Sequence, residues 1–260
     1  MKIKKLLSII VISILIIYAC NDPNNGVQEE YNTNGTIKSQ ITLKNGLRNG
    51  ISKLYDERGR LTSTAEYIND KHEGWVINYN PDNGKVMSKA LYKNDMQNGP
   101  VTLFYREGYL YREMNYINDM VDGIVKTYWP NGKIQAENLF KMGNPAIGLK
   151  EFDSDGKPIN EPYLVINEIN QLRLLNKLII KISISDGAKK VEFFMDDLKD
   201  GKYLNPSSYR LRNLDGVATI EYSVPRGGTF MKKLSIIARL RTELGNTLVL
   251  QRAYNVAASN

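Results

Sequence analysis

Asp56-Glu57-Arg58-Gly59-Arg60-Leu61-Thr62-Ser63-Thr64-Ala65-Glu66-Tyr67-Ile68-Asn69-Asp70-Lys71-His72-Glu73-Gly74-Trp75-Val76-Ile77-Asn78-Tyr79 is the stretch on which the reading of this chain turns. It opens on turn formers that end at Gly59. An alternating run follows, with Leu61, Ser63, Ala65 and Tyr67 on one side and Arg60, Thr62 and Glu66 on the other. A period of two with one polar side predicts a half-buried β-strand. Ile68-Asn69-Asp70 predicts a second turn, because Asn and Asp accept positive φ at small cost. Gly74 then opens a returning strand that runs to Tyr79. The stretch reads as one β-hairpin.

Outward from it, the same pattern recurs on both sides. Gly35, Gly59, Gly84, Gly108, Gly132 and Gly156 are spaced by 24 or 25 residues, and Gly50, Gly74, Gly99, Gly123 and Gly148 keep that interval about 15 residues behind. Tyr31, Tyr55, Tyr79, Tyr105, Tyr128 and Phe152 follow the same rhythm. Turn formers precede the early glycines, as in Asn32-Thr33-Asn34-Gly35, Pro81-Asp82-Asn83-Gly84 and Pro130-Asn131-Gly132. Second turns recur at Lys44-Asn45-Gly46, Lys93-Asn94-Asp95, Ile117-Asn118-Asp119 and Lys141-Met142-Gly143. The expected buried sides are Ile37, Ser39, Ile41 and Leu43; Val86, Ser88, Ala90 and Tyr92; and Ile134, Ala136, Asn138 and Phe140. A unit this small cannot bury its own apolar face and must lean on its neighbours. Hairpins joined by short turns predict sequential pairing, an antiparallel meander over residues 31–159.

The combination of aromatic, turn, Gly, Leu or Ile, Asn-Gly or Asn-Asp, and late Gly resembles the MORN-variant repeat. Arrays of that repeat occur in bacterial proteins labelled YwqK-family antitoxins and in many exported lipoproteins. The resemblance covers about 130 residues. The chain departs from it where Arg112 replaces the small inward residue of the fourth unit, and at Asn144-Pro145-Ala146, where the last glycine slips by one. Irregular pairing is expected at both places.

Beyond Ile159 the glycine rhythm stops. Apolar, alternating runs replace it at Tyr163 to Ile166, Lys177 to Ser185, Lys190 to Met195, Gly216 to Val224, Lys232 to Arg241 and Thr247 to Val256. Residues 160–260 are therefore expected to form a β-sandwich, with a helical turn within Glu168 to Leu175. The hairpin Ile236-Ile237-Ala238-Arg239-Leu240 to Leu244-Gly245-Asn246-Thr247 resembles the last strand pair of bacterial immunoglobulin-like modules. The expected class is all-β throughout.

The N-terminus has the form of an export signal. Lys2, Lys4 and Lys5 precede an apolar run from Leu6 to Tyr18, and Ala19 stands before Cys20, the sole cysteine. The run is short for a membrane-spanning helix, which needs about 20 residues. Ala19-Cys20 resembles the lipobox of bacterial lipoproteins. That resemblance implies a signal peptide at residues 1–19, lipid on Cys20, and a place in the bacterial cell envelope at the outer membrane. Residues 20–30 read as a polar tether. With Cys20 acylated, no thiol is left for a disulfide.

The formal charge of +7 falls to +4 once the three signal lysines are removed, with Lys and Arg scattered among acids. No concentrated basic patch marks nucleic-acid binding, and nucleic acid is not an expected partner. His72 is the single histidine and Cys20 is committed to lipid, so no catalytic triad, thiol–imidazole pair or His/Cys metal site can be assembled. No metal or cofactor is expected. Asp196-Asp197 reads either as turn chemistry at a strand end or as calcium-binding oxygens, and His72 as a solvated turn residue. Tyr55, Trp75, Tyr79, Tyr105, Tyr128 and Trp129 read either as cross-strand packing or as exposed rings for a partner or a sugar. The expectation is a non-enzymatic, lipid-anchored binding or scaffold subunit whose partner is another envelope protein. Toxin neutralisation, implied by the repeat resemblance, and glycan binding are the alternatives.

Overall fold

The computed structural model describes residues 22–260; residues 1–21, with Cys20 and the signal sequence, lie outside them. The chain divides into two compact units, Met1–Tyr109 and Leu110–Asn260.

In the first unit the strands are β1 (Gly26–Tyr31), β2 (Ile37–Lys44), β3 (Leu47–Arg48), β4 (Gly50–Tyr55), β5 (Leu61–Ile68), β6 (Lys71–Tyr79), β7 (Val86–Lys93) and β8 (Met96–Phe104). They pair in the order β1-β2-β4-β5-β6-β7-β8, with β3 against β2. Residues 26–30, which read from the sequence as tether, pair instead as β1. Its Gly-Val-Gln-Glu-Glu-Tyr carries too little apolar alternation to announce a strand. Cross-strand partners line up as rows. Ser52, Ala65, Val76, Ala90 and Val101 form one row. Ser39, Leu54, Ser63, Asn78, Ser88 and Leu103 form the next, two residues along and so on the same face. The buried Ser39, Ala65 and Ala90 are members of the sides expected from the alternation.

The turns explain the rhythm. At each early glycine the chain makes a tight loop with a bulge: Gly59 N–H donates to the Asp56 carbonyl, and Asp56 N–H to the Arg60 carbonyl, both at 2.9 Å. The register shifts at Glu30/Tyr31, Leu54/Tyr55, Asn78/Tyr79 and Thr127/Tyr128, so the recurring tyrosines stand at the bulges. At the second turns two consecutive residues are left-handed, Asn69 and Asp70 at φ 49° and 69° and Asn94 and Asp95 at 50° and 68°. That is the primed two-residue hairpin turn, which matches strand twist. Turns of successive units then bond to each other. Asn34 Nδ2 donates to the Glu57 carbonyl and Asn83 Nδ2 to the Arg106 carbonyl, both at 2.9 Å. On the opposite edge Asp70 Oδ1 accepts from Arg48 N–H at 2.9 Å, and Asp95 Oδ1 from His72 N–H at 2.8 Å. Each bond spans about one repeat length, and the period is thus held at both edges of the sheet.

The second unit begins with β9 (Leu110–Ile117), β10 (Met120–Val121), β11 (Gly123–Tyr128), β12 (Ile134–Lys141), β13 (Asn144–Pro145) and β14 (Lys150–Glu151). Arg112, Thr127 and Ala136 share one row, and Val125 and Asn138 the next. The ladder is short at Arg112, where only two partner pairs join β9 to β11. Arg112 is not the cause, because β2 and β4 are joined equally briefly beside Ser39. At the slipped glycine the pairing is interrupted between β13 and β14. The freed segment is used elsewhere: Ala146 bridges Tyr203, and Ile147 N–H donates to the Lys202 carbonyl at 2.9 Å.

The remaining elements are β15 (Leu164–Gln171), α1 (Leu172–Leu175), β16 (Lys177–Ile184), β17 (Val191–Met195), β18 (Tyr209–Leu211), β19 (Asn213–Leu214), β20 (Val217–Ser223), β21 (Thr229–Arg241) and β22 (Thr247–Ser259). The helical turn is confined to α1, since the first half of the expected stretch continues β15. Two antiparallel four-stranded sheets result, β15-β16-β20-β19 and β18-β17-β21-β22. Their facing sides share one apolar cluster that includes Leu178, Ile180, Ile182, Phe193, Leu234, Ile236 and Leu248. Burial of these side chains is the main stabilising term here, roughly 1.5–3 kcal/mol for each large one.

The outer side of the β17–β21–β22 sheet packs on the last repeats. Phe194, Leu198, Leu204, Ile237 and Val249 form a second cluster that Ile147 joins. Glu151 Oε1 accepts from Thr242 Oγ1 and Asn246 Nδ2, both at 2.6 Å.

Candidate binding faces

Tyr55, Trp75, Tyr79, Tyr105, Tyr128 and Trp129 are each half-buried. Each keeps a fixed place in its own hairpin. Several are tied down. Tyr55 Oη donates to Gln40 Oε1 at 2.8 Å, and Trp129 Nε1 to the Phe152 carbonyl at 3.0 Å. Lys89 Nζ lies 4.0 Å from the Trp75 ring centroid, a cation over an aromatic face. Tyr128 Oη donates to Glu113 Oε2 at 2.7 Å. Burial, together with that carboxylate, pushes its phenol up to about 12.

His72, which reads from the sequence as a turn residue, lies instead in β6, with its ring between Tyr67 and Tyr92 at centroid distances of 4.5 and 5.4 Å. Arg48 covers the other side of Tyr67 at 4.1 Å, and Gln97 Nε2 donates to Tyr92 Oη at 3.1 Å. These side chains make a column beside the Ser52–Val101 row. Asp95 holds His72 twice, accepting from its backbone N–H at 2.8 Å and lying 3.1 Å from Nδ1. The backbone N–H of His72, more than its ring, keeps the Asp95 carboxyl below the usual range. Asp196 behaves as a turn residue: Oδ2 accepts from Ser208 Oγ at 2.9 Å, and Oδ1 from Asp197 N–H at 2.8 Å.

The inward rows have an occupant in the second unit. Thr127, Ala136 and Asn138 are at most 5 % exposed. The turn joining β21 to β22 lies over them: Asn138 Nδ2 donates to the Thr247 carbonyl at 2.9 Å. A cavity of about 190 Å³ remains between the two surfaces, lined by Arg112, Tyr116, Asn138, Phe140, Arg241 and Asn246 among others. Asn138 Oδ1 is buried without a partner. Such an orphan costs about 1–3 kcal/mol. In the first unit the matching row carries Ser52, Ala65 and Ala90, and Leu54 beside it is 50 % exposed.

Two stretches of the chain have a counterpart among known families. Residues 24–45 and 121–142 match the MORN repeat variant. Each MORN-variant match takes in one early-glycine turn and the strands that flank it, β1 and β2 in the first and β11 and β12 in the second. The intervening hairpins repeat the same turns and rows, so they belong structurally to the same series. No curated protein matches the chain.

Sequence reasoning finds the rows and the aromatics, since both follow local spacing. It misses the His72 column and the inward role of Asn138 as a dock, because both depend on partners from other hairpins. The one signal available for Asn138 is a polar residue at an expected buried position.

Proposed function

We propose that this chain is a non-enzymatic, lipid-anchored envelope protein whose repeat sheet binds a partner protein through its small-residue face. MORN repeats point to a repeat-based binding or scaffold protein. The observation that carries the finer reading is the seat that the last repeats offer to the β21–β22 turn. Small side chains at Thr127 and Ala136 let the backbone approach, and Asn138 supplies a donor to a carbonyl. At the register of Ala136 the first unit carries Ser63 and Ser88, and at that of Asn138 it carries Ala65 and Ala90, while Leu54 stands where Thr127 does. A hairpin tip or loop of a partner is the occupant that this surface suits. Anchoring rests on Ala19-Cys20 and the signal before it, and the strand order of the sandwich supports an immunoglobulin-like spacer.

The test is affinity capture from membranes with full-length protein carrying a photo-crosslinker at Leu54 or at Lys53, which point to opposite faces. The Leu54 probe is expected to capture a defined protein that the Lys53 probe misses. Equal capture by both, or by neither, overturns the reading. Mass spectrometry of the mature N-terminus checks the lipid on Cys20.

A further inference from the structure

We infer that a second copy of this chain pairs along the outer edge of β22, strand against strand across a two-fold axis, independent of the repeat face proposed above. Natural sheets protect their free edges with charges, bulges, shortness or a cover. β1, β15, β18 and β19 are edges of that kind. β1 carries Glu29 and Glu30 and a register shift at Glu30/Tyr31. β18 and β19 have three and two residues, and on β15 the Leu164 carbonyl accepts from Arg252 at 2.6 Å. β22 is different. It is the outer strand of its sheet, 13 residues long, and pairs with β21 along its whole length without a register shift. It holds no proline and one charged residue, Arg252, whose guanidinium is turned to β15.

Backbone bonding fixes which groups are free. Asn260 N–H donates to the Gly228 carbonyl at 3.1 Å, and Thr242 N–H to the Asn246 carbonyl at 3.0 Å, both in the register of β21 and β22. Antiparallel bonding alternates, so even-numbered residues of β22 bond to β21 and odd-numbered ones turn N–H and C=O outward. The Thr247 carbonyl, which accepts from Asn138, is one of these. Val249 is buried. From Gln251 to Ser259 every odd-numbered residue is exposed, and among the described residues no strand bonds to that side.

The edge matches itself. A two-fold axis at Asn255 sets Asn255 against Asn255 of the second copy, Ala253 against Ala257 and Gln251 against Ser259. On the inward side Tyr254 meets Val256, and Arg252 meets Ala258. No pair opposes like charges, which destabilise when directly across strands. Met231, 86 % exposed, stands beside Ala257 and adds apolar surface to the seam. The odd-numbered side chains carry no charge by which to choose a foreign strand, whereas the two-fold supplies a match at every position. A self-complementary patch of this kind is the isologous contact of a dimer.

Sedimentation equilibrium of the full-length protein in detergent tests this, together with amide hydrogen exchange. The parent chain is expected to form a dimer. Asn255→Lys and Asn255→Asp each set like charges across the axis and weaken the dimer about tenfold or more, and these exposed changes leave thermal unfolding in place. An equimolar mixture of the two variants is expected to pair again. In the parent dimer the odd-numbered amides of residues 251–259 exchange more slowly than in Asn255→Lys. A parent chain that is monomeric, or that pairs only with a different protein, overturns the proposal. So does a dimer indifferent to both substitutions, a mixture that fails to pair, or exchange at those amides that is the same in parent and variant.

Discussion

Asn138 donates its Nδ2 to the Thr247 carbonyl at 2.9 Å across 109 residues of chain, joining a repeat strand to the turn of the last hairpin. The bond also fixes which way the amide points, and so leaves Oδ1 buried and unpartnered. Asn138→Asp replaces the donor with a second acceptor against the Thr247 carbonyl. It is expected to destabilise the second unit by about 1–3 kcal/mol. Asn138→Ala removes the bond together with the orphan oxygen and is expected to cost less. Denaturant unfolding of the two variants, compared with the parent chain, checks the order.

Three of the late glycines, Gly50, Gly74 and Gly99, are closely confined. Gly99 has φ 126°, and a Cβ there would stand 2.8 Å from Leu91 Cδ2 and 3.2 Å from Leu91 Cβ. Gly35 has φ 81° and open space around it. Gly99→Ala is expected to cost about 2–4 kcal/mol through backbone strain and overpacking. Gly35→Ala carries strain alone, about 1–2 kcal/mol. Thermal melts of the two variants should fall in that order, and a reversed order would show that crowding at Leu91 is relieved by rotation.

Asn131 Nδ2 reaches the Ser154 carbonyl at 2.8 Å, one repeat further along, as Asn34 and Asn83 reach Glu57 and Arg106. Asn131→Ala also removes Oδ1, which accepts from Lys133 N–H at 3.0 Å within the turn. Each bond contributes about 0.5–1.5 kcal/mol, and less where water competes. Asn34→Ala and Asn83→Ala together are expected to have additive effects, because the two sites share no partner. Amide hydrogen exchange at the neighbouring turns reads the loosening directly.

Tyr128 gives a pH signature. Its folded phenol is raised to about 12 by burial and by the Glu113 carboxylate. The unfolded phenol titrates at about 10. Between those values the unfolded state binds fewer protons than the folded one, so stability falls as pH rises. The contribution is fully present below about 10 and lost as pH climbs through the folded value. Tyr128→Phe should remove a late step from the ultraviolet titration of the tyrosines and flatten the alkaline limb of stability. An unchanged late step would assign it to another phenol.

On the repeat face, Leu54 is 50 % exposed in the row beside Ser52 and Ala65. Leu54→Arg is expected to change stability by no more than about 0.5 kcal/mol while abolishing capture of the partner. Lys53→Glu, on the opposite face, should leave capture intact. Loss of capture in both would point to general charge rather than this face.

Much of the architecture is legible because it is written locally. Asn69-Asp70 adopts the pair of left-handed conformations that these two residue types accept most readily, and Ser63, Ala65 and Tyr67 alternate as a half-buried strand must. The cavity of the second unit that is lined by Lys189, Lys190, Arg210, Arg239 and Arg241 together with Glu192 is not legible. Lys189, Lys190, Arg210, Arg239 and Arg241 are spread along the second half of the chain, and in sequence they look like ordinary solvated charge. His72 escapes a sequence reading because its neighbours in the chain, Lys71 and Glu73, are polar, whereas its neighbours in space are Tyr67 and Tyr92.

The order of residues by itself determined the hairpins, their turns and the side each strand turns inward, since backbone dihedral preferences and side-chain alternation act over a few residues. Tertiary structure alone decided that the β21–β22 turn would sit on the inner face of the last repeats and that Arg210 and Arg239 would share the Glu192 carboxylate. Those contacts join segments far apart in the chain, and their energies exist only once both surfaces are folded and aligned.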